Sequence, residues 1–276
     1  MPFRSWDFSL EQYREILGAL KSRYGQSTPF CELMGSKSRP QLFCAIRHDV
    51  DRRPKNALKL AQLESEAGLK ATYYFRTRPG ILDQKIVQQI RALGHEIGYH
   101  YECLSDTQGD LAAAHKLFAD NLAKLRALAT IQTIAMHGSP FSPFDNRDMW
   151  SAQDGLKILS DQHQILGEVY LHFDYQNVAY LTDTGRSWNQ GASNLRDHVN
   201  SNLKVSFDSG AELIAWIAKA PSLPNFVFST HPERWERQAS PRYLIQWAQD
   251  KVINTLKRIV RLLRPRSKVD SKNLLT

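Results

Sequence analysis

The segment Arg47-His48-Asp49-Val50-Asp51 ends an apolar run, Leu42-Phe43-Cys44-Ala45-Ile46, and precedes a helical pattern that starts near Pro54. Side chains alternate along an extended backbone, so Asp49 and Asp51 point to the same side. Two carboxylates that close resist ionising together: one takes a raised pKa, or a cation sits between them. Either outcome suits hydrolysis, with one Asp as general base and the other as a metal ligand. The competing reading is a strand running into a helix cap, where Asp is common. A second segment, Gly94-His95-Glu96-Ile97-Gly98-Tyr99-His100-Tyr101-Glu102, is again strand-like and carries His100 near its end. His95 alternates to the other face from His100 and is expected to be structural.

Elements must bring these side chains together. Strand-like runs fall at 41–49, 71–76, 95–100, 131–137, 165–170, 178–181 and 226–231, with helical patterns at 54–67, 81–93, 109–127, 210–218 and 241–263. This alternation predicts a parallel sheet covered by helices, hence a barrel or a doubly wound sheet. Polar residues collect at the carboxyl ends of the strands: Asp49 and Asp51, His100, His137 and His231. Parallel barrels build their sites there. Between 138 and 207, Pro140, Pro143, Asn146, Gly185 and Gly191 predict long loops of the kind that shape a substrate cleft. The expected organisation is an N-terminal helical extension over 1–40, a barrel over 41–240, and a basic amphipathic helix with its tail over 241–276.

The pair RHDVD and GHEIGYH resembles the polysaccharide deacetylases, the NodB-homology group of carbohydrate esterase family 4. That family carries an Asp-Asp or Asp-x-Asp motif after its first strand and a GHEIGxH segment after its third. The stretches MHGSP, YLTDTGRSWN and FSTHPERW look like those of a divergent branch found near surface-polysaccharide genes, and the resemblance spans roughly 41–247. It implies a distorted seven-stranded (β/α) barrel of the α/β class. It also implies Asp49 as general base, Asp51 and His100 as metal ligands, and His231 as the acid that protonates a leaving amine. The expected ion is Zn2+ or another first-row divalent metal.

Two departures from the family pattern matter. Its second histidine, four residues after the first, is replaced here by Leu104. His137 and Glu102 are the residues able to complete the site, with His137 the choice and substrate binding its alternative role. The family's base-orienting Arg-x-Pro pattern is also missing, which leaves Arg147 and Arg186 as substitutes. Asp183, Arg186 and Trp188, with Arg147, are read as substrate-binding cleft residues: a carboxylate, bidentate donors and an aromatic platform.

The chain of 276 residues has ordinary globular composition, with 42% hydrophobic and 23% charged residues. Cys31, Cys44 and Cys103 imply neither a disulfide framework nor a metal site, which favours a reducing compartment. The first residues lack an apolar run, so a cytoplasmic location is expected. From 251 onward eight basic residues face one acid, Asp270; this stretch carries +7 of the net +8. The body is therefore nearly neutral, which argues against a nucleic-acid partner. No phosphate-cradling Walker loop and no Gly-x-Ser-x-Gly elbow are present. In the C-terminal helix Leu244, Ala248, Val252, Leu256, Ile259, Val260 and Leu263 share one face. Such stripes usually serve a core, so packing on the barrel is expected. The alternative is peripheral contact with the inner membrane face, near lipid-linked saccharide.

The activity implied is metal-dependent removal of an acyl group, acetyl by expectation, from an N-acylated amino sugar. The substrate is expected to be a small or lipid-linked saccharide of a surface-glycan pathway such as lipopolysaccharide biosynthesis. Hydrolysis of another non-peptide C–N bond and saccharide binding by a catalytically degenerate barrel are the alternatives.

Overall fold

The computed structural model describes residues 7–36, 38–188 and 196–263. All seven expected strands form: β1 (Cys44–Val50), β2 (Ala71–Phe75), β3 (Glu96–Tyr101), β4 (Ile131–Met136), β5 (Gly167–Glu168), β6 (Val178–Thr182) and β7 (Asn225–Thr230). They make one sheet in the order β5-β4-β3-β2-β1-β7-β6, with every neighbouring pair parallel. The sheet curls into a distorted barrel whose edges are β5 and β6. The helices of the described residues are α1 (Leu10–Tyr24), α2 (Phe30–Gly35), α3 (Pro54–Glu66), α4 (Gln84–Ala92), α5 (Cys103–Asp106), α6 (Leu111–Arg126), α7 (Gly155–His163), α8 (Gly210–Lys219) and α9 (Pro241–Leu263). Side-chain caps start several of them. Ser9, Asp83, Asp110 and Ser209 each accept from a backbone N–H in the first turn of α1, α4, α6 and α8.

Alternation along β1 sorts the opening motif by face. His48 turns outward, within 2.5 Å of Glu64 on α3, while Arg47 and Asp49 turn into the barrel and meet each other. His95 also faces outward, where it bonds the Ala71 N–H and the Ala61 carbonyl. The larger core lies between the sheet and its helices, and Tyr13, Ile16, Leu17 and Leu20 of α1 are buried in it. A smaller apolar cluster fills the barrel, with Phe30 and Leu33 of α2 closing the end where the strands start. Gly98 keeps that interior open. A Cβ there would stand 2.3 Å from the Tyr74 ring, so glycine is what lets the tyrosine lie across β3.

Two elements differ from the sequence reading. Helix α7 interrupts the region expected to be loops; it is short and buries only Gly155 and Leu159. Helix α9 forms where expected but is turned the other way. Tyr243, Gln246, Asp250, Asn254 and Lys257 face inward, whereas Leu244, Ile245, Ala248, Val252, Leu256 and Ile259 are exposed. Inward polar groups find partners: Tyr243 donates to the Asp7 carbonyl, Asn254 to the Gly185 carbonyl, and Asp250 pairs with Arg186. Gly191, the side chains of Val260 and Leu263, and the basic residues from Arg264 to Lys272 lie outside the described residues. No helix of the described residues is long and apolar enough to cross a membrane. Cys31, Cys44 and Cys103 are free.

Candidate functional site

Because the sheet is wholly parallel, every strand delivers its last residues to the same end of the barrel. Strand register then sets the levels. Val50, Phe75 and Tyr99 are neighbours across β1, β2 and β3, so Asp51, Arg76 and His100 follow at one level. His100 is level with Ala135 and Tyr101 with Met136, so His137 stands beside Glu102.

Asp51, His100 and His137 come together as a result. His100 Nε2 lies 3.3 Å from Asp51 Oδ1, and His137 Nε2 lies 3.6 Å from Asp51 Oδ2. The two imidazoles stand 5.3 Å apart, nearly perpendicular. Each is oriented from behind. His100 Nδ1 is 3.0 Å from the Ala135 carbonyl, which can only accept, so Nδ1 carries the hydrogen and Nε2 faces the site. His137 Nδ1 lies 3.0 Å from Glu102 Oε2, and Glu102 is in turn forked by Arg76 and bound by Arg78. Burial pulls the His137 imidazole down, but Asp51 and Glu102 more than offset it and lift it to about 9. Burial likewise opposes ionisation of Asp51, and the two histidines reverse that and hold it well below the usual carboxylate range.

These residues fit a divalent cation in donor chemistry. Asp51 Oδ1 is buried and receives no hydrogen bond. It faces an imidazole nitrogen whose other nitrogen already holds the ring's hydrogen. Separations of 3.3 and 3.6 Å compare with the roughly 3.3 Å expected between donors each roughly 2 Å from a tetrahedral zinc. The side chains as they stand do not close into a group of three that holds an ion, among the described residues. The chemistry and orientation of the donors are in place; the final closure is not.

Asp49 has a different environment. Arg47 grips it with two parallel hydrogen bonds, Nε to Oδ1 at 2.9 Å and Nη2 to Oδ2 at 2.8 Å. The guanidinium lies 4.4 Å over the Tyr170 ring and 5.3 Å from that of Tyr74, which fixes its plane. His100 Nε2 is 3.8 Å from Asp49 Oδ2, so this carboxylate borders the same space as Asp51.

His231 follows β7 and is anchored by Asp183, which follows β6. Nδ1 lies 2.7 Å from Asp183 Oδ1, and Asp183 also accepts from the His231 backbone N–H, Arg234 and Trp235 Nε1. Burial and Arg234 lower the His231 pKa, yet Asp183 outweighs them and the net shift is upward. Asp51 is among the groups that raise it, which sets His231 within electrostatic reach of the metal-ligand candidates.

The expected cleft residues are placed otherwise. Asp183 is fully buried behind His231 and positions it, because four donors occupy its oxygens. Trp188 is only 2% exposed and stacks on Phe8 at 4.5 Å, in the aromatic core beneath α1. Arg186 pairs with Asp250 and lies over Phe8 and Tyr243, away from Asp49. Arg147 is held by Asp145 and reaches Tyr170 only at 6.0 Å. Neither arginine hydrogen-bonds Asp49. Arg47 does, and it was legible, since the alternation that pairs Asp49 with Asp51 puts Arg47 on the same face. Two further residues had no sequence signal. Glu233 is buried with Oε2 unpartnered, and burial and Asp51 push its carboxyl up. Lys257, inward on α9, is pulled down to about 8 by burial and Arg234.

No protein-family model and no curated protein matches the chain. Among solved structures it is similar to a CE4 esterase from Streptococcus mutans, at 13% identity over 91% of this chain and 88% of that one, with a TM-score of 0.42. The CE4 domain of a multidomain xylanase from the hindgut metagenome of Trinervitermes trinervoides matches at 12% identity, 78% and 82% coverage and a TM-score of 0.37. A CE4-family pseudoenzyme from Bacillus anthracis matches at 11% identity, 78% and 62% coverage and a TM-score of 0.37. At these TM-scores the superpositions are loose and add nothing to the topology and side-chain geometry described above.

Proposed function

We propose that this protein is a metal-dependent hydrolase that removes an acyl group, acetyl by expectation, from an N-acylated amino sugar of a surface-glycan pathway. Asp51, His100 and His137 converge beside an arginine-held Asp49 and an aspartate-held His231, and this convergence carries the reading. The resemblance of RHDVD, GHEIGYH and FSTHPERW to polysaccharide deacetylases supports the same chemistry and supplies the substrate class.

Asp51, His100 and His137 would hold the ion, with Glu102 and the Ala135 carbonyl fixing the two rings. When bound there, a divalent cation supplies Lewis acidity toward water and the scissile carbonyl. Asp49 is the proton acceptor. Arg47 occupies one lone pair on each of its oxygens, leaving the others for a water proton. His231 presents Nε2 while Nδ1 is held by Asp183, so it can deliver a proton to the departing amine nitrogen. Pairing a gripped carboxylate with a raised-pKa histidine separates base from acid.

The test combines metal analysis of the purified protein with deacetylation assays on N-acetylated amino sugars presented free, nucleotide-linked and lipid-linked. Stoichiometric divalent metal together with amine release on any of these supports the proposal. Leu104 and the open three-ligand group favour one second reading, a saccharide-binding barrel without catalysis. That reading predicts saccharide binding with neither bound metal nor released acyl group.

A further inference from the structure

Helix α9 is amphipathic in the sense opposite to that of a core-packing helix. Its polar side is turned to the protein, and Leu244, Ile245, Val252, Leu256 and Ile259 are 45–62% exposed. An apolar stripe of roughly four helical turns left in water is costly unless something covers it. Charge indicates what does. The only acid of α9, Asp250, is buried against Arg186, so the outer side carries no negative group. Arg242 and Lys251 are exposed beside the stripe, with the Lys251 ammonium 5.5 Å over the Trp247 ring. The sequence from 251 onward carries +7. A second copy of this chain seated on the stripe would bring two such cationic stretches together, and like charges oppose that.

We propose that α9 docks the protein on an anionic phospholipid surface, with Val252, Leu256 and Ile259 entering the headgroup boundary and Arg242 and Lys251 meeting the lipid phosphates. A helix with a large apolar face and a basic border lies in the interface in this way. The inner side of α9 touches the loops at the carboxyl ends of the strands, through Asn254 to Gly185 and Asp250 to Arg186. Docking therefore brings the candidate site close to the lipid plane, whichever reaction that site performs.

The experiment is flotation of the full-length protein with vesicles of phosphatidylcholine alone and with about one third phosphatidylglycerol. Partitioning should be at least about tenfold stronger to the anionic vesicles and should fall in about 0.5 M salt. Val252→Glu/Ile259→Glu should lose at least about tenfold of it with unchanged melting temperature, because both side chains are exposed. Arg242→Glu/Lys251→Glu, which leaves the apolar stripe intact, should lose binding in the same direction. Failure of the wild-type protein to float with anionic vesicles at low salt overturns the proposal. So does wild-type partitioning by both double variants. Light scattering that shows a dimer converted to monomer by Val252→Glu/Ile259→Glu, without vesicle binding by wild type, assigns the stripe to a second copy instead.

Discussion

Asp49 and Asp51 are two residues apart and chemically opposite. Arg47 donates to both oxygens of Asp49, whereas Asp51 Oδ1 receives no donor and faces His100 Nε2. Asp49→Asn keeps the shape but cannot take a proton. It should lower turnover by roughly a hundredfold or more while leaving bound metal unchanged, as read by kinetics beside metal analysis. His231 gives a pH signature. It must be protonated to act as an acid, and Asp183 is what holds its pKa up against burial and Arg234. Asp183→Asn removes that support, so the imidazole loses its proton at lower pH. The alkaline limb of the kcat/KM profile should move toward acid, and an unmoved limb would take His231 out of this role. At this scale the sequence was readable wherever alternation alone decides direction, as for Arg47, Asp49 and Asp51. It was unreadable where two strands must be in register. Nothing in the sequence near His137 announces that it will stand beside Glu102, because that follows from the pairing of Tyr101 with Met136.

Strand β5 is two residues long, yet Glu168 fastens it to the rest of the barrel. Its buried carboxyl accepts from the backbone N–H groups of Met136, Tyr170 and Leu171. Burial nevertheless dominates these donors and the nearby Arg47 and Arg147, and lifts Glu168 from 4.5 to about 7. A carboxyl kept neutral to about pH 7 in the fold, but ionising near 4.5 in the unfolded chain, costs stability as pH rises between those values. The full cost is on the order of 3 kcal/mol above pH 7. Glu168→Gln should flatten that part of the stability–pH curve in denaturant titrations. It should also lower stability at acid pH by about 1–3 kcal/mol, since an amide cannot accept at all three N–H groups. Elements with long periodic patterns, such as α3 and α6, were legible in advance. Helix α7 was not, because it is short and buries little. For α9 the pattern named the residues that share a face but could not say which face turns inward. Asp250, Asn254 and Tyr243 decided that through partners distant in sequence.

For the molecule as a whole, the parallel sheet is what makes one site out of residues drawn from β1, β3, β4, β6 and β7. That much was legible, because repeated strand–helix alternation forces the strands parallel and their carboxyl ends together. In the proposed site the third ligand is the weak point, since Leu104 stands where the resembled family has its second histidine and the proposed replacement, His137, comes from another strand. A ligand shared between strands ties them together, so metal should stabilise the entire barrel rather than one loop. A cation that binds only the folded chain at a hundredfold excess over its Kd adds about 2.7 kcal/mol. For a chain of this length that corresponds to a rise in Tm of roughly 5 °C. Chelation of the purified protein should lower Tm by that order, and Zn2+ should restore it. Asp51→Ala and His100→Ala should abolish the zinc-dependent rise. His137→Ala should keep a smaller one at higher zinc, because two of the three ligands remain. Zinc titration of Tm across the wild type and the three variants separates these outcomes. A His137→Ala protein that titrates like wild type would remove His137 from the ligand set and leave it as a partner of Glu102 alone.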